Sequence, residues 1–156
     1  MQTRVRALGH PVHQMVIVFP LGLLVTGAIF DLVRLVTGNE IFGQVGFWNI
    51  TAGLVGAIVA AVTGWLDWTS IPAGTRAKRI GLLHGTLNGL VLVLFGIAWL
   101  LRLDGTHQPG ALPFTLEVLA LVAGSIAAWF GGELVDRLGI GVHEDAHPDA
   151  ASSLSR

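Results

Sequence analysis

The sequence contains no cysteine and no tyrosine, and only 12% of its 156 residues are charged. Without cysteine the chain cannot form disulfide bonds, thiolate-held iron–sulfur clusters, cysteine-type zinc sites or covalently attached c-type haem. The formal net charge of -1 provides no basic field, so we expect no nucleic-acid partner. A soluble domain usually carries about 25% charged residues. The shortfall indicates that lipid, rather than water, covers much of the surface.

Four long apolar stretches account for most of the chain, in which 53% of the residues are hydrophobic. They cover approximately residues 12–36, 41–66, 80–101 and 111–137. Each contains about 20 residues or more, which is enough for a helix to cross the hydrocarbon layer of a bilayer. Helices are expected rather than strands, because a backbone inside lipid must satisfy its own hydrogen bonds. The sequence therefore predicts an all-α protein with four transmembrane helices, of which the first is kinked at Pro20.

Short links with turn-forming residues separate these stretches. Short links favour antiparallel neighbours, so we predict an up-down-up-down four-helix bundle over residues 12–142. Residues 1–11 are expected to form an N-terminal arm. Residues 143–156 are polar and rich in alanine and serine, which is typical of a disordered tail.

Lysine and arginine are distributed unevenly between the two sides of this bundle. The arm, the link between the second and third helices, and the C-terminal end contain most of them: Arg4, Arg6, Arg76, Lys78, Arg79, Arg137 and Arg156. The other side contains only Arg34 and Arg102. Because cytoplasmic loops of membrane proteins are enriched in basic residues, we predict that both termini are cytoplasmic.

Three glycines, Gly81, Gly85 and Gly89, recur every four residues on the third helix and leave a bare groove along one face. In lipid, such small-residue stripes let helix backbones approach closely. The groove would suit a homodimer or a contact inside the bundle. In a chain with 21 glycines, the repeat also has a chance explanation.

Ionisable side chains recur at a similar depth near the cytoplasmic end of every predicted helix. They are His10 and His13 on the first helix, Asp67 on the second, His84 on the third and Glu133 on the fourth. Asn88 follows His84 by four residues, so it lies on the same helical face. Ionisable groups inside a membrane are costly and usually have a partner or a function.

Three functions would use this set. The imidazole and carboxylate groups suit a transition-metal ion, with ligands drawn from His10, His13, Asp67, His84 and Glu133. His13 and His84 could be the axial ligands of a haem b, with Asn88 beside them. Histidines that titrate near neutral pH could also relay protons. No phosphate loop, dinucleotide fingerprint, nucleophile elbow or zinc-protease motif is present, so we expect no catalytic activity of the protein's own.

A structural interpretation competes with these functions. Near the headgroups, Asp67 could pair with Arg79. Glu133 could likewise pair with Arg137. His84 could bond Asn88 or a backbone carbonyl of the next helix, in which case the polar groups only tie the helices together.

Other charged residues lie on the far side of the predicted bundle. Asp31 and Arg34 are three residues apart on the first helix and are predicted to pair with each other. Glu117, near the far end of the fourth helix, is expected to snorkel or to face the bundle. Neither feature indicates a functional site on this side.

Three segments of the chain resemble the DUF2231 family of bacterial membrane proteins, and together they span residues 10–142. They are HPVH at 10–13 with FPLG at 19–22, GWLDW at 64–68 with the later His84 and Asn88, and GGELV at 131–135 with GIGV at 139–142. The resemblance implies a four-helix domain in the bacterial cytoplasmic membrane and no assigned activity. Some members are fused to Rieske-type or cytochrome-type domains, which implies electron transfer by association.

Together, these observations predict an integral membrane protein in contact with the lipid bilayer. Its first expected function is electron transfer through haem b, with a quinone or another redox partner. The alternatives are a structural or assembly subunit without enzymatic activity, and a carrier of transition metals or protons.

Overall fold

The computed structural model describes residues 1–154 and consists mainly of four long helical spans arranged as a bundle. The helices are α1 (Val12–Val16), α2 (Val18–Thr37), α3 (Glu40–Ser70), α4 (Arg76–Leu100) and α5 (Ala111–Gly132), and a π-helical turn, Glu133–Arg137, extends α5. α1 and α2 together form the first span. Each span is long and apolar enough to cross a membrane. The predicted all-α fold with four transmembrane helices is therefore confirmed.

The first span is interrupted because of its proline. Pro20 has no backbone N–H, and its ring clashes with the carbonyl four residues earlier, which belongs to Val16. α1 ends at Val16, and α2 begins at Val18 after the turn residue Ile17. The interruption thus lies one turn before the proline, whereas the sequence predicted a kink at Pro20 itself.

The helix ends follow capping side chains rather than the limits of the apolar stretches. Asn39 and Thr75 accept hydrogen bonds from backbone N–H groups in the first turns of α3 and α4. Such caps satisfy N–H groups that have no partner within the helix. As a result, α4 already begins at Arg76, before the apolar stretch at 80–101. Apolarity marks the segment that crosses lipid, and the cap sets where the helix begins.

The spans pack as two closely fitted pairs, α2 on α3 and α4 on α5, and α3 and α4 join the pairs. The core where they meet contains one residue from each span: Leu24, Ile50, Phe95 and Ala120. Glycine lets α2 and α3 approach closely, since a Cβ at Gly27 would lie 2.7 Å from Cγ1 of Ile50. Many other large apolar side chains are exposed on the outside of the bundle, as expected for contact with lipid.

Both ends of the described chain lie at the same end of the bundle. The N-terminal arm forms a small hairpin, in which β1 (Arg6–Ala7) pairs with β2 (His10–Pro11) in antiparallel fashion. Residues 143–154 form turns without helix or strand, and Ser153 contacts the hairpin. Residues 155 and 156 of the predicted disordered tail lie outside the described residues.

The glycine groove on α4 is filled at only one of its positions. Gly81 packs tightly on Trp68, since a Cβ there would lie 2.7 Å from Cδ1 of the indole. Gly85 and Gly89 have nothing within 4 Å of their Cβ positions in the described chain. A contact inside the bundle therefore accounts for Gly81, and the homodimer stays a prediction.

Candidate functional site

His13 joins the start of the first span to the second. Its Nδ1 lies 2.9 Å from the carbonyl oxygen of Ala60 on α3. The ring lies against Gly64, one turn further along α3, where a Cβ would be 2.8 Å from Cε1 of the imidazole. Glycine at position 64 therefore makes room for the ring.

His84 makes the equivalent contact between the third and fourth spans. Its Nδ1 lies 2.8 Å from the carbonyl oxygen of Ala127 on α5, and its ring packs against Gly131, one turn later. Asn88, one turn further along α4, places its amide nitrogen 3.2 Å from Nε2 and 2.9 Å from the carbonyl oxygen of His84. The imidazole is thus held by a neighbouring helix and by its own.

The two imidazoles meet between the two halves of the bundle. Their ring centroids are 6.3 Å apart and their planes are nearly perpendicular, at 88°. A backbone carbonyl only accepts hydrogen bonds, so each Nδ1 carries the proton and donates it. Each Nε2 then has a lone pair that can accept a hydrogen bond or bind a metal. In His84 this lone pair faces Asn88, whereas Nε2 of His13 has no hydrogen-bond partner within residues 1–154.

A second polar cluster lies at the opposite end of the bundle and is centred on Arg102, just beyond α4. Its guanidinium binds the Asp31 carboxylate through both terminal nitrogens, with Nη2 3.0 Å from Oδ1. Nη1 also lies 3.3 Å from Oε1 of Glu117. Nη2 donates to the carbonyl oxygens of Gly43 and His107. α2, α3, α5 and the link after α4 thus converge on one arginine.

This Arg102 cluster is fully buried. The side chains of Arg102, Asp31 and Glu117 are all 0% exposed. The sequence spacing predicted that Asp31 pairs with Arg34, and this prediction is wrong. Arg34 instead donates from Nε to Oε1 of Gln108, at 2.7 Å. Glu117 faces the bundle, which is one of its two expected positions.

The link after α4 is folded over the cluster. The Asp104 carboxylate accepts hydrogen bonds from the hydroxyl group of Thr106, at 2.8 Å, and from its backbone N–H, at 3.0 Å. These bonds lower the pKa of Asp104. The ring of His107 stacks on Phe47 with centroids 4.1 Å apart. These contacts hold the link so that the carbonyl oxygen of His107 faces Arg102.

The comparison with known families establishes where the chain belongs. The profile of the DUF2231 family, described as a predicted membrane protein, matches residues 9–144. The chain belongs to the DUF2231 family. No curated protein and no solved structure matches it. The matched DUF2231 region contains His13, His84 and the whole Arg102 cluster, so both polar clusters lie inside the family domain.

Two of the predicted site residues in the DUF2231 domain contact the terminal segments instead of the histidine pair. Asp67 on α3 accepts a hydrogen bond from the backbone N–H of Val5, at 2.9 Å. In the described part of the chain it makes no ion pair with Arg79, which corrects that pairing. His10 is exposed on the hairpin, with its Nε2 3.2 Å from the hydroxyl oxygen of Ser153.

Glu133 also has a partner of its own in the DUF2231 domain. It forms an ion pair with Arg76, at 2.6 Å, rather than the pair predicted with Arg137. Arg137 lies near Asp136, at the end of the π-helical turn. Across residues 1–154, no group of three or more histidine, cysteine, aspartate or glutamate side chains is placed to hold a metal ion. A metal site formed by histidines and carboxylates stays a prediction.

The spacing of buried residues on α2 and α5 indicates in the sequence that Asp31 and Glu117 face the core. Asp31 follows Leu24 and Ala28 on the buried face of α2. Glu117 precedes Ala120 on the buried face of α5. A charged residue in register with small and apolar core positions is expected to point inward, and it then needs a buried partner.

Proposed function

We propose that this DUF2231 domain holds haem b with His13 and His84 as axial ligands, and that it is an electron-transfer module of the bacterial cytoplasmic membrane. The observation that carries the proposal is the meeting of the two imidazoles, from different spans, at a centroid distance of 6.3 Å. In this role the domain exchanges electrons with a quinone or a soluble redox protein and needs no catalytic activity of its own.

The spacing and hydrogen bonds of the two histidines fit ligation of one iron ion. Bonds from an imidazole nitrogen to a metal ion are about 2.0–2.1 Å long, so two rings with centroids 6.3 Å apart are near enough that His13 and His84 would hold one metal ion between them. Metal-bound histidines usually donate their other ring N–H to a carbonyl or carboxylate, which fixes the ring and its tautomer. Both Nδ1 atoms have such a partner, Ala60 for His13 and Ala127 for His84.

The two histidine positions are built alike, which also supports a paired role. Each ring lies on an alanine carbonyl and on the glycine four residues later, in AAVTG at 60–64 and AAWFG at 127–131. A Cβ at Gly64 or Gly131 would come within 2.8 or 3.1 Å of the facing imidazole. His13 and His84 would together hold the haem, which would supply one-electron redox chemistry when bound.

The distribution of lysine and arginine supports a position of the histidine pair near the cytoplasmic leaflet. The arm, the start of α4 and the π-helical turn after α5 lie at the histidine end, and they contain six of the nine lysine and arginine residues: Arg4, Arg6, Arg76, Lys78, Arg79 and Arg137. The opposite end contains Arg34 and Arg102, and both are engaged within the bundle. Since basic residues favour the cytoplasmic side, the proposal includes cytoplasmic termini.

A spectrum of the purified protein tests the haem proposal. After expression with added haem, we expect the reduced-minus-oxidised spectrum of a low-spin b-type haem, and we expect His13→Ala and His84→Ala each to abolish it. His10→Ala is the matched control, because His10 lies on the exposed hairpin. A wild-type sample without a Soret band, or a band that survives both substitutions, would contradict the proposal.

A ligand exchange separates lost ligation from lost folding. Methionine also binds haem iron and raises its reduction potential relative to histidine. His84→Met should therefore retain the haem with a higher midpoint potential. An unchanged potential would mean that His84 is not an axial ligand.

A structural role for the same histidines is the second candidate, and Asn88 is the observation that favours it. With Nδ1 on Ala127 and Nε2 beside Asn88, both ring nitrogens of His84 have partners without any cofactor. Under this alternative, His84→Ala lowers thermal stability and changes no spectrum. Haem ligation requires Asn88 to leave Nε2, so Asn88→Ala should retain or strengthen haem binding if the first proposal holds.

A further inference from the structure

The Arg102 cluster contains one more carboxyl group than it has cations. Asp31 from α2, Glu117 from α5 and Arg102 after α4 are each 0% exposed. If both carboxyl groups were ionised, the closed cluster would have a net charge of about -1, which is strongly unfavourable in a buried site. A proton or another cation therefore has to balance the charge.

The hydrogen bonds identify which of the two carboxyl groups lacks a compensating positive charge. Asp31 receives two bonds from the guanidinium, one on each oxygen. Glu117 receives only the 3.3 Å contact on Oε1. Its Oε2 is buried and has no hydrogen-bond partner among the residues that the structure describes. The other bonds of the Arg102 guanidinium go to the carbonyl oxygens of Gly43 and His107.

The neighbouring elements supply no further positive charge to Glu117. The hydrogen-bonding group that α3 offers to the cluster is the carbonyl of Gly43, and the link offers the carbonyl of His107. The ring of His107 is stacked on Phe47. Arg34, the other basic residue at this end, is bonded to Gln108.

We propose that Glu117 is a proton-binding site inside the membrane domain, and that at neutral pH it keeps a proton whose O–H group donates a hydrogen bond to the Asp31 carboxylate. The two carboxyl groups are neighbours, because Oδ2 of Asp31 and Oε1 of Glu117 both contact Nη1 of Arg102, at 2.5 and 3.3 Å. Adjacent carboxyl groups share one proton more readily than both ionise. The cluster then consists of the Asp31–Arg102 ion pair and one neutral acid. Release of the proton to water leaves an ionised Glu117.

Infrared spectroscopy of the full-length protein in lipid tests this assignment. At neutral pH we expect the C=O stretch of a protonated carboxyl group that shifts in D₂O and is lost in Glu117→Gln. Asp67→Asn is the matched control, because Asp67 also has a buried oxygen without a partner in the described chain but lies at the histidine end. This control should leave the Glu117 band unchanged.

Three outcomes would overturn the proposal. Wild-type protein could show no protonated carboxyl group at neutral pH, or its band could survive Glu117→Gln. A band that sodium chloride removes at constant pH would assign a metal cation to the cluster instead of a proton.

Thermal unfolding provides a second readout. Glu117→Gln should leave the Tm unchanged within error, because a neutral amide can replace a neutral acid as a donor to Asp31. Asp31→Asn should lower the Tm, since it breaks the ion pair with Arg102. Equal losses in the two variants would show that Glu117 is ionised and would overturn the proposal.

Discussion

The two polar clusters of this DUF2231 domain satisfy their groups in different ways. At the histidine end, His13 and His84 each contact one backbone carbonyl of a neighbouring helix, and Nε2 of His13 keeps a free lone pair whereas Nε2 of His84 faces Asn88. At the far end, Arg102 uses its donors on two carboxyl groups and two backbone carbonyls in a fully buried site. A ring nitrogen without a protein partner suits the binding of a ligand, whereas a buried cluster built around an ion pair holds helices together. Substitutions at the two ends should therefore have different consequences.

Replacing Arg102 should cause the largest loss of stability. Arg102→Met removes the guanidinium and leaves Asp31 buried without its ion pair. Breaking a buried pair from one side costs about 3–5 kcal/mol. Thermal unfolding of the purified protein in detergent measures the loss. Arg34→Met is the matched control, because Arg34 bonds the neutral Gln108. If Arg34→Met lost as much stability as Arg102→Met, the Arg102 cluster would stabilise the fold no more than an ordinary hydrogen bond at the same end.

A substitution on α3 should disturb the same cluster with a smaller effect. A Cβ at Gly46 would collide with Oδ1 of Asp31 and lie 3.0 Å from the carbonyl oxygen of Gly27. Overpacking of this kind costs about 1–3 kcal/mol, so Gly46→Ala should lower the Tm. Gly22→Ala is the control, because nothing lies within 4 Å of that position. If both variants unfold at the same temperature, α3 does not hold Asp31 in place.

The sequence predicts the spans more completely than the partners of their charged residues. Lipid permits few alternatives to a helix, so apolarity and length predict four spans. The rise along a helix gives the depth of each residue, so the sequence also predicts that His13 and His84 lie at one level. The partner of Asp31 depends on which helix faces turn inward. The local spacing favoured Arg34 as the partner of Asp31, whereas helix packing places Arg102, which is 71 residues away, against the carboxylate.

Removing a histidine should cost less than either change at the far end. His84→Ala deletes the bond to the Ala127 carbonyl, and interhelical hydrogen bonds in membranes average about 0.6 kcal/mol and reach about 1.7 kcal/mol. The measurement is thermal unfolding of haem-free protein, with the exposed His10→Ala as the control. A loss as large as that of Arg102→Met would show that the histidine end is as structural as the far end.

Single cysteine substitutions, which should have the smallest effect on stability, can show which of the two ends of the bundle faces the cytoplasm. The chain has no cysteine, so a single introduced thiol reports its position without background. Ala73→Cys lies in the exposed link at the histidine end, and Leu103→Cys lies in the link near Arg102. Each should alter stability by less than about 0.5 kcal/mol. Since basic residues concentrate at the histidine end, a membrane-impermeant maleimide should label only Leu103→Cys in intact cells. Labelling of Ala73→Cys alone would instead place the histidine pair near the outer leaflet, away from cytoplasmic electron donors.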